Sequence, residues 1–479
     1  MINHVAGALH SGAGPAWLPV PDDVNALVPG IWSANVARRS DGVLTVAGMP
    51  VTELATRFGT PSYLLDEDDF RARARGFKSA FDDAFAGLCG GVDVYYAGKA
   101  FLSTQVARWV ADEGLRLDTC SGGELAVAQR AGIPGELIGL HGNNKSTAEI
   151  RQAIEYGVGR IIVDSLDEIE RISKVAVELG TVAPVLLRVT VGVEAHTHDY
   201  IATAHEDQKF GLSLTSGQAA EAARRVLDQP SLRLLGLHSH IGSQIFDMSG
   251  FEVAASRILG LRADLQAEFG VERAPLEELD LGGGFGISYT SQDDPQSPED
   301  MATTLASVIA RVCESLNMVP PRISIEPGRA IAGPSMFTLY RVGTIKDVET
   351  GHGYRRYVSV DGGMSDNVRA ALYSADYSCT VASRAPAGHP VLSRVVGKHC
   401  ESGDIVVRDE YLPSDLAEGD LVAVPGTGAY CRSLASNYNH VPRPGVVAVR
   451  DGAARLIMRR ETIDDLLAFD LDDDGGQAG

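Results

Sequence analysis

No stretch of the chain approaches the ~20 apolar residues that a membrane-crossing helix needs. The first residues, MINHVAGALHSGAGPAW, lack the basic stretch and long apolar run of a secretory leader. The six cysteines (Cys89, Cys120, Cys313, Cys379, Cys400, Cys431) show no CxxC spacing, so no zinc site is implied. They read as reduced thiols, and the expected setting is the cytoplasm. Positive charge is scarce: 42 Lys and Arg face 63 Asp and Glu, a formal net charge of −21. That balance argues against a nucleic-acid partner, and no membrane association is expected. It leaves room for a small anionic ligand, which needs only a local cluster of arginines and backbone N–H groups. With 479 residues, 44% of them hydrophobic, the chain can fill two cores, one as large as a full α/β barrel.

Residues 1–30 are rich in Gly, Pro and Ala and read as an N-terminal arm. GVLTVAG (42–48) predicts a strand, VTELATRFG (51–59) a helix ended by Gly59, and SYLLD (62–66) another strand. After a helical stretch (67–87) an alternation of strand and helix begins. Its strands are expected at 92–99, 115–121, 137–143, 160–165, 184–191, 232–242, 277–284 and 322–328. Eight β-α repeats predict a closed (β/α)8 TIM barrel. An open doubly wound sheet would carry its Gly-rich loop after the first strand, whereas here that loop follows the seventh. Beyond Gly333 come short strands separated by turns (336–345, 355–363, 389–400, 404–412, 420–426, 445–452, 454–462), which predict an all-β sandwich or barrel. The expected division is an arm (1–30), a segment joining the β domain (31–60), the barrel (61–333), the β domain (334–465) and an acidic tail (466–479).

In such a barrel, chemistry belongs at the carboxyl ends of the strands. Those ends carry Lys99, Asp118, His141, Asn143, Arg188, His240, the glycines 282–284 and Glu326 to Arg329. Val92, Val94 and Tyr96 alternate with Asp93, Tyr95 and Ala97 and lead through Gly98 to Lys99, just before a helical pattern. A lysine held there by apolar neighbours has a desolvated ammonium and becomes a nucleophile towards an aldehyde; a snorkelling surface lysine is the alternative. Gly282, Gly283, Gly284 and Gly286 suit close approach to a phosphate, with Ser243 adding a hydroxyl, although tight turns use glycine runs too. Glu326 could hold a heterocyclic nitrogen protonated and Arg329 could pair with an anion, or the two could be a structural pair at the barrel rim. His238 and His240 form an HxH, a metal signature in barrel hydrolases. Those have it on the first strand with further ligands later, so no metal is expected here. His196 and His198 read as loop residues.

In order, the motifs YYAGKA (95–100), CSGGEL (120–125), HSHIGSQ (238–244), LGGGFG (281–286), EPGR (326–329), MSDNVRAALY (364–373), CESGD (400–404) and GAYC (428–431) resemble those of the fold-type III pyridoxal 5′-phosphate decarboxylases. The match is to their diaminopimelate branch and covers roughly residues 40–460. The resemblance implies an alanine-racemase-like barrel and a carboxy-lyase that converts meso-diaminopimelate to L-lysine and CO2. It implies that Lys99 carries the cofactor, that His240 stacks on its ring and that Glu326 pairs with the ring nitrogen. Ser243, Gly283, Gly284 and the segment Glu326, Pro327, Gly328, Arg329 would surround its phosphate side, with Asp118 nearby. Tyr430 would touch both phosphate and substrate. Arg329, Arg369, Tyr373 and Glu401 would grip the far end of the substrate, and Cys400 would return a proton to the reacting carbon. Cys400 and Glu401 would come from the second subunit of a homodimer.

One departure is visible: the family usually brackets the substrate arginine with prolines, whereas this chain has Val368 and Ala370 around Arg369. That predicts a less restricted loop. The near alternative is a sister enzyme acting on ornithine, arginine or a carboxy-polyamine, which favours an acidic pocket for a distal cation. Arg369 and the CESGD motif speak against it. A racemase of the alanine type differs at the lysine motif, and a cofactor-less binding homologue would have lost Lys99, Cys400 or the phosphate residues.

Overall fold

The computed structural model describes residues 14–193, 209–350 and 353–471. His196 and His198, the start of the arm and the end of the acidic tail lie outside these. Two compact units result: one comprises residues 71–286 and 295–331, the other residues 1–70, 287–294 and 332–479.

The first unit is a closed parallel barrel. Its strands are Val92–Ala97, Arg116–Thr119, Ile138–Leu140, Arg160–Val163, Ala183–Thr190, Leu232–His238, Glu278–Asp280 and Arg322–Ile325. Each pairs with the next, and the eighth pairs with the first through Ile323 opposite Val92. A short extra strand, Leu212–Ser213, adds to the end of the fifth. The turn into each of four early helices is set by a serine. Ser103, Ser121, Ser146 and Ser165 each accept the backbone N–H three residues on, and Ser146 forms a full capping box with Glu149.

The barrel interior is not purely apolar. Arg160, 1% exposed, lies with its guanidinium carbon 3.5 Å from the Tyr95 ring centroid and donates to Ser324 Oγ at 2.9 Å and to the buried Asp280. Asp280 Oδ1 in turn accepts the Gly282 N–H at 2.7 Å. The internal ion pair therefore also anchors the first glycine of the seventh loop. The end of that loop is held by Phe285, stacked on Phe251 at 5.5 Å and tilted against Phe77 at 5.6 Å.

The second unit is a mixed sheet in the order Ile405–Pro413, Pro390–Val396, Gly353–Val360, Met336–Thr350, Ser62–Asp66, Val446–Arg450, Ala453–Met458. Leu421–Val424 also pairs with Met336–Thr350, and the short Thr380–Val381 pairs with Leu421–Val424. Residues 62–66, which the expected division put with the barrel, are a central strand here. Ser62–Asp66 lies antiparallel to Met336–Thr350 and parallel to Val446–Arg450. The early strand Leu44–Val46 forms a separate three-stranded sheet with Val36–Arg38 and Met49–Pro50. Leu44, Val46, Val51 and Leu54 bury themselves against Leu64, Phe337, Leu339 and Val447, which ties this N-terminal piece to the large sheet.

At the base of the loop that leads to Arg369, the buried Asp366 accepts the Gly363 N–H at 2.8 Å and the Tyr340 hydroxyl. Burial raises its carboxyl to about 7, more than these two bonds lower it. Folding thus takes up a proton that the unfolded chain has released above its ordinary carboxyl value. The stabilisation is complete below about pH 4 and is lost as pH rises through about 7. Asp366→Asn is expected to flatten the fall in melting temperature across that window. Identical melting profiles for the variant and the parent chain would contradict this.

Candidate active site

The strand ends of the barrel surround a cavity of about 270 Å³ lined by Lys99, Asp118, His141, His238, His240 and Glu326, with Cys120, Asn143, Arg188 and Phe210 completing the wall. Close packing of backbone shapes this mouth. A Cβ on Gly98 would lie 2.8 Å from the Asp118 carbonyl, one on Gly139 2.3 Å from Asp118 Oδ1, and one on Gly328 2.8 Å from the Ala97 carbonyl. Gly283 would meet the Glu326 carbonyl at 2.3 Å, and Gly284, at φ +104, the Gly242 carbonyl at 2.4 Å. The glycines of the seventh loop thus let the ends of the sixth, seventh and eighth strands touch.

Glu326 forms the floor. It is 6% exposed, and its Oε1 lies 2.9 Å from His238 Nε2 and 3.4 Å from His141 Nε2. Burial alone would raise its carboxyl, yet the His141 and His238 imidazoles hold it well below the ordinary carboxylate range, so it stays anionic. Asp118 is buried beside it, with Oδ1 3.1 Å from His141 Nε2, and neither of its oxygens accepts a hydrogen bond among the described residues. His240 takes the Gly283 N–H on its Nδ1 at 3.2 Å, which assigns its own proton to Nε2. Burial and then the nearby Lys99 charge lower its imidazole well below the ordinary value, so the ring is neutral. The two histidines of the HxH therefore serve different partners. His141, His238 and Glu326 do bring ligand-type atoms within 4.8 Å of one another, a metal-like spacing drawn from three strands.

Lys99 stands where the strand pattern places it, but its side chain is exposed, not enclosed by apolar neighbours. Burial therefore does not supply the desolvation expected there. What surrounds the amine is polar: its charge acts on His240, Cys120 and Glu124. Arg329 donates to Ser243 Oγ at 2.8 Å, joining the sixth-strand and eighth-strand loops, and Pro327 and Gly328 lie between Glu326 and this pair.

The remaining expected residues lie in the β unit. Arg369 opens a short helix, Arg369–Tyr373, and is 4% exposed. Tyr373 is half-buried at the end of that helix, and Tyr430 adopts φ +64 in the turn that follows Gly428. Cys400 and Glu401 are exposed. Asp404 binds their loop to the Arg369 loop: it accepts the Met364 N–H at 2.6 Å and the His399 N–H at 2.7 Å. The rule that marks polar residues at strand ends also finds His141 and Arg188, now seen in the cavity wall. Tyr289, Tyr377 and Cys431, which surround Arg369, carry no such signal.

Residues 67–333 match the family described as pyridoxal-dependent decarboxylase, pyridoxal binding domain. A diaminopimelate decarboxylase of Mycobacterium bovis is 55% identical over 447 residues, covering 93% of this chain and 98% of the relative. That of Mycobacterium leprae is 53% identical over 475 residues, covering 98% and 99%. The crystal structure of diaminopimelate decarboxylase from M. jannaschii in complex with L-lysine superposes with a TM-score of 0.85 at 31% identity, covering 92% of this chain and 98% of that one. Likeness at this level over nearly the whole length, on a barrel whose strand ends carry the motif residues, decides the matter: the chain belongs to the pyridoxal-dependent decarboxylases, in the diaminopimelate decarboxylase family.

Proposed function

We propose that the chain removes one carboxylate of meso-2,6-diaminopimelate, with pyridoxal 5′-phosphate as cofactor, giving L-lysine and CO2. The observation that carries the choice of substrate is Arg369. It is 4% exposed, donates to the Tyr377 hydroxyl and lies over the Tyr289 ring, and no carboxylate pairs with it among the described residues. A buried guanidinium with no counter-ion among the described residues suits a substrate that brings its own carboxylate, and the distal carboxylate of diaminopimelate does so. Ornithine and arginine bring a distal cation instead.

The barrel residues fit the cofactor. Glu326 offers a fixed negative charge for a pyridinium nitrogen, His240 a neutral ring to lie against the pyridine, and Asp118 carboxylate oxygens that accept no hydrogen bond among the described residues. Ser243, Arg329, Gly283 and Gly284, with Pro327 and Gly328 between, are the groups for the phosphate side, and Lys99 holds the cofactor through its amine. When bound, pyridoxal 5′-phosphate supplies the electron-accepting ring that takes the electron pair as CO2 leaves. Everything else falls to side chains. Arg369 and Arg329 take carboxylate charge, Tyr373 and Tyr430 add hydroxyls, and Glu401 receives the distal ammonium. Held at both ends, the substrate keeps its scissile bond in one orientation. The Cys400 thiol then gives a proton to the carbon that lost CO2. The active form is a two-fold dimer in which the partner subunit's Cys400 and the partner subunit's Glu401 complete each site.

Lys99→Ala is expected to abolish turnover and the visible absorbance of bound cofactor while circular dichroism stays unchanged; retained turnover would contradict the assignment. Arg369→Met should cut kcat/KM for meso-diaminopimelate by about two orders of magnitude, the worth of a lost buried charge pair. A loss under threefold would remove the argument for this substrate. Mixing inactive Lys99→Ala and Cys400→Ala proteins under subunit exchange should restore about a quarter of the activity, from the intact site in each mixed dimer. No recovery despite proven exchange would mean that each site is built within one subunit.

A further inference from the structure

Arg369 is held by groups that the proposed reaction does not otherwise use. Its Nη1 donates to the Tyr377 hydroxyl at 2.5 Å. Its guanidinium carbon lies 4.6 Å from the Tyr289 ring centroid and 5.6 Å from that of Tyr377. The two rings meet edge to face at 5.1 Å and 76°. Beyond Tyr377, its hydroxyl lies 3.7 Å from Cys431 Sγ, and Cys431 Sγ lies 3.5 Å from Asn367 Oδ1. Asn367 Oδ1 also accepts the backbone N–H of Arg369 at 3.3 Å.

These contacts form a ring that leaves Arg369 by its side chain and returns to its own backbone. Chemistry fixes the direction of the bonds. A guanidinium only donates, so Tyr377 accepts; the tyrosine proton is then directed to sulfur, and the thiol proton to an amide oxygen that only accepts. Tyr377 is 1% exposed, and Cys431 and Asn367 are both fully buried. Tyr289 follows the glycine loop in sequence and packs at Gly426 (φ +73), where a Cβ would come 3.1 Å from its ring. Neither Val368 nor Ala370 restricts φ as proline would, so side chains supply the restraint on Arg369.

We propose that Tyr289, Tyr377 and Cys431 are positioning residues that fix the plane of the Arg369 guanidinium for the distal carboxylate of the substrate. This rests on the reading of Arg369 given above. Pairing of guanidinium with carboxylate is directional, two parallel N–H donors to two oxygens, so a tilted fork loses affinity while keeping its charge. A change at Tyr377 that leaves the guanidinium in place but frees its plane therefore acts on recognition of the carboxylate, not on the reacting end.

The test uses the holoenzyme turning over meso-diaminopimelate, with L-lysine and cadaverine as competing inhibitors. Lysine retains the carboxylate that Arg369 is assigned to bind; cadaverine lacks it. Tyr377→Phe is expected to raise KM and the lysine inhibition constant about tenfold, with a smaller change in kcat and none in cadaverine inhibition. Cys431→Ala should weaken lysine inhibition and Cys431→Ser restore it, because serine still donates. Tyr289→Leu should weaken it and Tyr289→Phe preserve it. These paired variants carry the test if Tyr377→Phe does not fold, as judged by cofactor absorbance. If Arg369→Met removes the preference for lysine over cadaverine but the other variants leave it intact, the positioning proposal is wrong and the reading of Arg369 stands. If Arg369→Met leaves the preference intact, the reading of Arg369 fails and the proposal fails with it.

Discussion

The barrel is organised around a carboxylate that must remain charged in a place where charge is costly. Glu326 lies buried at the end of the eighth strand, and the imidazoles of His238 and His141, from the sixth and third strands, keep it anionic. That requirement continues down the barrel. Asp118 adjoins His141, Arg160 lies 3.6 Å from Asp118, and Arg160 pairs in turn with Asp280. Asp280 then holds the first amide of the glycine loop. One line of buried ionisable side chains therefore links the floor of the cavity to the loop assigned to the phosphate. Removing one member would leave its neighbour buried and unpaired.

The β unit uses the opposite sign. Arg369 is buried against Tyr289, Tyr377 and Cys431, and no carboxylate pairs with it among the described residues. Under the proposed function, Glu326 suits a protonated ring and Arg369 a carboxylate remote from the reaction, so that selection among similar diamino acids would turn on whether the distal end brings a negative group.

Much of this was legible in the sequence because it is local. Each barrel strand was marked by an apolar run ending in a polar residue. YYAGKA, HSHIGSQ and EPGR fell at strand ends for the same reason. What escaped depends on pairing across hundreds of residues. The expected division puts Ser62–Asp66 in the barrel segment 61–333, ahead of the first expected barrel strand at 92–99. Only its register with Met336–Thr350 and Val446–Arg450 assigns it to the other sheet. The exposure of Lys99 was equally invisible, since neighbours in sequence suggested an apolar enclosure that the fold does not provide. Tyr289 escaped because it lies in a stretch between barrel elements that joins the β unit.

The most direct measurement is release of CO2 with product identification, using meso-diaminopimelate, ornithine and arginine side by side in the presence of pyridoxal phosphate. Lysine formed from diaminopimelate, with no turnover of the other two, is the expected result. Turnover of ornithine or arginine at a comparable rate would leave the barrel and its cofactor chemistry in place and contradict the role given to the buried Arg369.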